Sequence, residues 1–162
     1  MKLVLDTSVI LSGKDIPLSE DIYIPPSILT EIKKGGRWYH KLQRMRAAGL
    51  TVVSPPGNVI QEVKKQARQT GDYLRLSKTD IEVIGLALQL NATILTDDYS
   101  IQNLAKSLGI NFKGISQKEI EEEYKWRYKC VKCGRWFKEA KEECHICGGK
   151  IKTVRLTHYE GE

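Results

Sequence analysis

The chain alternates between short apolar runs bounded by turn residues and longer amphipathic stretches with helical spacing. Lys2 to Leu5 forms an apolar strand that ends at Asp6, and Asp21 to Ile24 forms a second, closed by Pro25 and Pro26. Pro26 and Ser27 open a helix predicted to run through Lys34, where Gly35 and Gly36 break it. Trp38 to Ala48 is a basic amphipathic helix stopped by Gly49, and Leu50 to Val53 is a strand cut by Pro55 and Pro56. Asn58 is placed as the cap of a helix to Thr70, with Gly71 as its stop. Thr79-Asp80-Ile81-Glu82 fits a capping box and leads a helix to Leu90. Thr93 to Thr96 is a buried strand, Tyr99 to Leu108 a helix, Gly109 to Phe112 a last strand and Ser116 to Tyr124 a terminal helix.

Strands alternating with helices predict an α/β fold, a mostly parallel sheet flanked by helices. The helix after Thr79 sharpens this. At 100° per residue, Glu82, Gly85 and Gln89 form its wet stripe, and the apolar positions from Val83 to Leu90 cover the rest. Asp80 points away from that stripe, toward protein. A partly buried carboxylate needs a cation, and a metal ion is the economical candidate.

Composition narrows the class. A chain of 162 residues holds one ordinary core plus an appendage. Apolar residues at 41% and charged residues at 28% suit a globular protein. No apolar run approaches the roughly 20 residues of a membrane helix, and the first residues lack a secretory signal, so no membrane association and a cytoplasmic location are expected. The net charge of +6 is unevenly placed: residues 1–124 hold 16 Lys/Arg against 15 Asp/Glu, and residues 125–155 hold 10 against 3. This composition shift puts the boundary near residue 124, giving a first domain at 1–124, a second at 125–157 and a tail at 158–162. So basic a segment suits a phosphate-rich partner, although it also fits a merely soluble lysine-rich surface.

The four cysteines all lie in that segment, as Cys130-x-x-Cys133 and Cys144-x-x-Cys147, with ten residues between the pairs and glycine directly after each pair. Two such knuckles place four thiolates in a tetrahedron that matches structural Zn²⁺, and a segment this small needs a metal to fold. A disulfide pair is the rival, disfavoured without a secretory signal, and a rubredoxin-type iron site would use the same ligands. His145, inside the second knuckle, is expected to be exposed. Trp126, Tyr128, Trp136 and Phe137 lie among cations, as on a single-strand nucleic-acid surface; Trp136 or Phe137 is expected to supply the ribbon's core.

Acidic residues recur where a parallel sheet builds its sites. Asp6 follows the first strand, and Asp97, with Asp98 beside it, follows the Thr93 to Thr96 strand; strand carboxyl ends are where such sheets bind ligands. Glu31 sits at the margin of an apolar helical stripe, where a plain surface glutamate is the ordinary alternative. Together Asp6, Glu31, Asp80 and Asp97 offer an oxygen-only set that suits Mg²⁺ or Mn²⁺, ions that serve phosphodiester hydrolysis.

The ordered set Val4-Leu5-Asp6-Thr7-Ser8, Pro26-Ser27 with Glu31, Thr79-Asp80 opening an apolar helix, and Leu95-Thr96-Asp97-Asp98 resembles the PIN-domain nucleases. The resemblance implies a Rossmann-like central sheet, with Asp6, Glu31, Asp80 and Asp97 as catalytic metal-binding acids. A PIN domain joined to a four-cysteine, rubredoxin-like zinc ribbon is similar to the Nob family, endonucleases that trim the 3′ end of precursor small-subunit ribosomal RNA. A pre-ribosomal RNA partner is thereby implied. Lys33, Lys34, Arg37, Lys41 and Arg44 around the basic helix, with Arg127, Arg135 and Lys138 on the ribbon, are the expected RNA contacts. Two other readings are a toxin-type ribonuclease of the same domain class and a non-catalytic RNA-binding assembly factor. Ribonuclease toxins usually stop after the catalytic domain, which sets the ribbon against the first of these.

Overall fold

Leu3, Val4 and Leu5 are all buried, because their strand, β1 (Lys2–Leu5), lies at the centre of a sheet covered on both faces. The computed structural model describes residues 1–16, 20–115 and 125–156. The other strands of this sheet are β2 (Asp21–Ile24), β3 (Thr51–Val52), β4 (Thr93–Leu95) and β5 (Phe112–Lys113), in the order β3-β2-β1-β4-β5. All four pairings are parallel. The chain builds outward from β1 through β2 to β3, then returns to the other side of β1 for β4 and β5. The order therefore reverses between β1 and β4, and the crevice beyond their carboxyl ends is the place where such sheets bind ligands.

The helices are α1 (Thr7–Ile10), α2 (Pro26–Glu31), α3 (Arg37–Ala47), α4 (Gly57–Thr70), α5 (Lys78–Leu90) and α6 (Tyr99–Ser107). None of the helices among the described residues is long and apolar enough to cross a membrane. The α5 helix buries Ile81, Val83, Ile84, Leu86 and Ala87. Gly85, expected on its wet stripe, is also buried: a Cβ there would lie 3.1 Å from Ile60 Cδ1, so the bare backbone is what lets α4 approach.

Other expectations are corrected. The capping box is Ser77 with Asp80, two residues earlier than Thr79 with Glu82: Ser77 Oγ accepts from the Asp80 amide at 3.1 Å and the Asp80 carboxylate accepts from the Ser77 amide at 2.8 Å. Thr79 is buried and Glu82 instead accepts from Ser27 Oγ on α2. Pro56, not Asn58, occupies the cap position of α4, since a proline leading into glycine starts the helix without a side-chain cap. The second helix ends at Glu31, before Lys33 and Lys34. The Ser116 to Tyr124 helix, the expected boundary near residue 124 and the 158–162 tail lie outside the described residues.

The cysteine segment forms an antiparallel sheet in the order β7-β6-β8, from β6 (Lys125–Cys130), β7 (Trp136–Phe137) and β8 (Ile151–Leu156). Its buried ring is Tyr128, not the expected Trp136 or Phe137; Trp136 is 47% exposed. Tyr128 is buried because it points at the first unit, where its hydroxyl donates to the Gly71 carbonyl at 2.8 Å. Trp126 lies beside the same glycine, with the Arg75 guanidinium 3.7 Å over its ring.

Candidate active site and cysteine cluster

Asp6 stands where β1 ends and α1 begins, and its buried carboxylate is held from three sides. The Thr7 amide donates to Oδ1 at 2.7 Å, and Ser8 Oγ at 2.8 Å and Thr96 Oγ1 at 2.9 Å donate to Oδ2. Burial nevertheless outweighs those donors and pushes the Asp6 carboxyl above its usual range, with the Asp98 charge adding to the rise. Ser8 also accepts from the Asp97 amide at 3.4 Å, so one hydroxyl joins the ends of β1 and β4.

Asp80 reaches the same region from the first turn of α5. Its half-buried carboxyl is raised to about 6, chiefly by burial and further by the charges of Asp6 and Asp98. Neither Asp6 nor Asp80 forms an ion pair with a lysine or arginine among the described residues. Buried carboxylates that repel one another are relieved by a bound cation. Glu31, exposed at the end of α2, is drawn to the site by Thr7 Oγ1, which donates to it at 2.8 Å. The Asp97 carboxylate accepts from the Ile115 amide at 2.7 Å, which ties the chain after β5 to the site. Asp98 caps α6 through the amides of Ser100 and Ile101.

The four candidate acids thus share one crevice without forming one tight shell: among the described residues, no three of them bring oxygens within 4.8 Å of one another. Acids spaced in this way would suit an ion that keeps part of its hydration, held by some of them directly and by others through water. The positions that sequence reasoning underweighted are the hydroxyls. Thr7, Ser8 and Thr96 set the carboxylates in place, and the only signal for them was adjacency to Asp6 and Asp97.

The cysteines do form a tight set. Their sulfurs all lie within 4.8 Å of one another. A tetrahedron of 2.3 Å metal–sulfur bonds has edges of about 3.8 Å; Cys133 and Cys144 sulfurs are 3.7 Å apart and those of Cys130 and Cys147 are 3.4 Å apart. The Cys133 amide, above all, holds the Cys130 thiol down, to about 6. Gly149 closes the cluster, since a Cβ there would stand 2.9 Å from Cys130 Sγ. His145 is exposed, with its ring against Phe137.

The expected RNA contacts fall into two groups. Lys33, Lys34, Arg37 and Arg44 are exposed and Lys41 is half-buried, on and before α3; Arg135 and Lys138 are exposed and Arg127 half-buried on the ribbon.

Residues 3–90 match the family described as the PIN domain of ribonuclease. The endoribonuclease Nob1 of Pyrococcus abyssi is 35% identical over 156 residues, covering 95% of this chain and 94% of that protein, so the likeness runs through both the α/β unit and the ribbon. The chain belongs to the Nob1 family of PIN-domain endoribonucleases. A ribonuclease named VapC1, from Thermoplasma acidophilum, is 39% identical over 160 residues, 99% of this chain and 79% of that protein. That match also spans the ribbon, so the ribbon does not by itself set the Nob1 and VapC names apart, contrary to the expectation from sequence. The 20S-pre-rRNA D-site endonuclease nob1 of Schizosaccharomyces pombe is 28% identical over 125 residues, 75% of this chain and 31% of that protein.

Proposed function

We propose that this endoribonuclease cuts precursor small-subunit ribosomal RNA at its 3′ end, in a pre-ribosomal particle in the cytoplasm. In this reading Asp6, Glu31, Asp80 and Asp97 bind Mg²⁺ or Mn²⁺, and Cys130, Cys133, Cys144 and Cys147 bind Zn²⁺. The observation that carries the catalytic part is the meeting of Asp6 and Asp80 at the sheet's switch point, both held above the usual carboxylate range with no lysine or arginine paired to them among the described residues.

A bound Mg²⁺ or Mn²⁺ supplies a water acidified for attack and neutralises the phosphate. The chain's own residues do the positioning. Thr7, Ser8 and Thr96 fix the Asp6 carboxylate, and Thr7 also fixes Glu31, so that one two-residue step orients acids from β1 and α2. Lys33, Lys34, Arg37, Lys41 and Arg44 on one side, and Arg127, Arg135 and Lys138 on the ribbon, hold the RNA backbone through charge. The substrate assignment rests on the resemblance to the Nob family and on the name of the fission-yeast relative.

The relative named VapC1 supports a second reading, a toxin-type ribonuclease aimed at other RNA. Primer-extension mapping separates the two, on a precursor small-subunit transcript spanning the mature 3′ end and, in parallel, on total cellular RNA. One cut at the mature end and sparing of other RNA supports ribosomal RNA maturation. Cutting of other RNAs, with growth arrest on expression, supports the toxin.

A further inference from the structure

Between α3 and the loop after α1 lies a pocket of about 670 Å³, within the range of roughly 300–1,000 Å³ typical of small-molecule sites. Lys14, Arg37, Lys41 and Arg44 line it against a single acid, Asp15, with Trp38 as the aromatic wall. Arg37, Lys41 and Arg44 form no ion pair with any carboxylate among the described residues. The Lys41 ammonium is fixed, donating to the carbonyls of Ile10 and Lys14 at 3.3 Å each, and its burial pulls its pKa down, with Arg44 and Arg37 adding to the fall against the opposing charge of Asp15. The Arg37 guanidinium lies over the Trp38 ring, 4.2 Å from its centroid, so the two form a positively charged platform. Unpaired cations converging on such a platform in a concave site match a phosphate and a base held together.

Position connects this pocket to the acidic crevice. Asp6 caps the N-terminal end of α1, while Lys41 binds the carbonyl of Ile10 at its other end. Four helical residues span about 6 Å, so the two ends of α1 set Asp6 and the Lys41 anchor about one nucleotide apart.

We propose that this pocket is a nucleotide subsite: one unpaired nucleotide of the RNA beside the scissile bond sets its phosphate on Arg37, Lys41 and Arg44 and stacks its base on the Arg37–Trp38 platform. This rests on reading the acidic crevice as the place where RNA is cut. It makes Trp38 an RNA contact.

The test uses the full zinc-loaded chain and a short single-stranded oligoribonucleotide carrying 4-thiouridine, photo-crosslinked without added Mg²⁺ or Mn²⁺ and mapped by mass spectrometry. The expected crosslink is on Trp38 or its neighbours in α3, and uridine monophosphate displaces it while inorganic phosphate at equal concentration does not. Trp38→Ala should weaken binding by about five- to a hundredfold, the size of one lost stacked base, and Trp38→Phe should restore most of it. Crosslinks confined to the ribbon, or equal affinity in Trp38→Ala shown to be folded by circular dichroism, would overturn the subsite. Displacement by inorganic phosphate as effective as by the nucleotide would reduce it to an anion site and overturn the nucleotide claim. Normal cutting without the crosslink would sink this inference alone; the crosslink without cutting in any metal would instead sink the catalytic reading.

Discussion

Thr96 and Asp6 stand ninety positions apart in the chain and are joined by a buried hydrogen bond of 2.9 Å. The bond ties the carboxyl end of β4 to that of β1 across the point where the strand order reverses, and Thr96 also accepts from the Asp98 amide at 3.0 Å. Thr96→Val keeps the shape and removes both roles. Leaving buried polar groups unmatched costs about 1–3 kcal/mol, measurable by chemical denaturation. Because the Thr96 hydroxyl lowers the Asp6 pKa, its loss raises that pKa, and the acid limb of the pH–activity profile should move to higher pH. An unmoved limb would mean that Asp6 does not act through its ionised form.

Asp80 sets a second pH dependence. Its folded-state pKa, about 6, lies above its ordinary value, so its contribution to stability is full at low pH and is lost as pH rises through about 6. A divalent ion binds the ionised form, so its stabilising effect should grow over the same interval. Thermal unfolding with and without Mn²⁺ is expected to show a larger gain at about pH 7.5 than at about pH 5. Asp80→Asn should flatten much of that difference; an unchanged one would place the ion away from Asp80.

The sheet was legible in the sequence because its central strands are short apolar runs that end in acids, at Asp6 and after Thr96. The cysteine spacing was equally direct, since the knuckle geometry is local. What sequence reasoning misplaced depended on tertiary contacts. Gly85 read as a wet position because residue type, not the approach of α4, decides a helical wheel. Asp80 was rightly turned inward, but the box partner was Ser77, because the helix begins at Lys78 and not beyond Thr79. Tyr128 is buried by its contact with Gly71, a partner 57 positions away that no local pattern reveals. The pairing of Thr7 with Glu31, which brings an otherwise ordinary surface glutamate to the site, was hidden for the same reason.

Gly71 makes the junction between the two sheets possible. Its φ of +84° is left-handed, and a Cβ there would collide with the Trp126 carbonyl. Gly71→Ala should cost about 2 kcal/mol or more, combining left-handed strain with displacement of β6. Limited proteolysis should then release the ribbon faster than in the parent chain. Equal stability and equal proteolysis would show that the contact holds nothing in place.

Removing the ribbon's metal should act locally. Cys144→Ser, or a strong chelator, is expected to abolish bound zinc and melt the three-stranded sheet, because so small a unit lacks an adequate core of its own. The five-stranded sheet should unfold in a separate, later transition. Metal analysis of the purified protein checks the ion, and stoichiometric iron in place of zinc would contradict the assignment.

The central claim is tested most directly by incubating the purified chain with a small-subunit ribosomal RNA fragment spanning the mature 3′ end. Mn²⁺, Mg²⁺ or no divalent ion is added, beside an Asp6→Asn, Asp97→Asn double variant confirmed to be folded and zinc-loaded. The account predicts metal-dependent cutting at a single position by the parent and at least about a hundredfold less by the variant, the scale of losing electrostatic stabilisation at the reacting phosphate. Tight binding without cutting in any metal, or equal cutting by parent and variant, would contradict it.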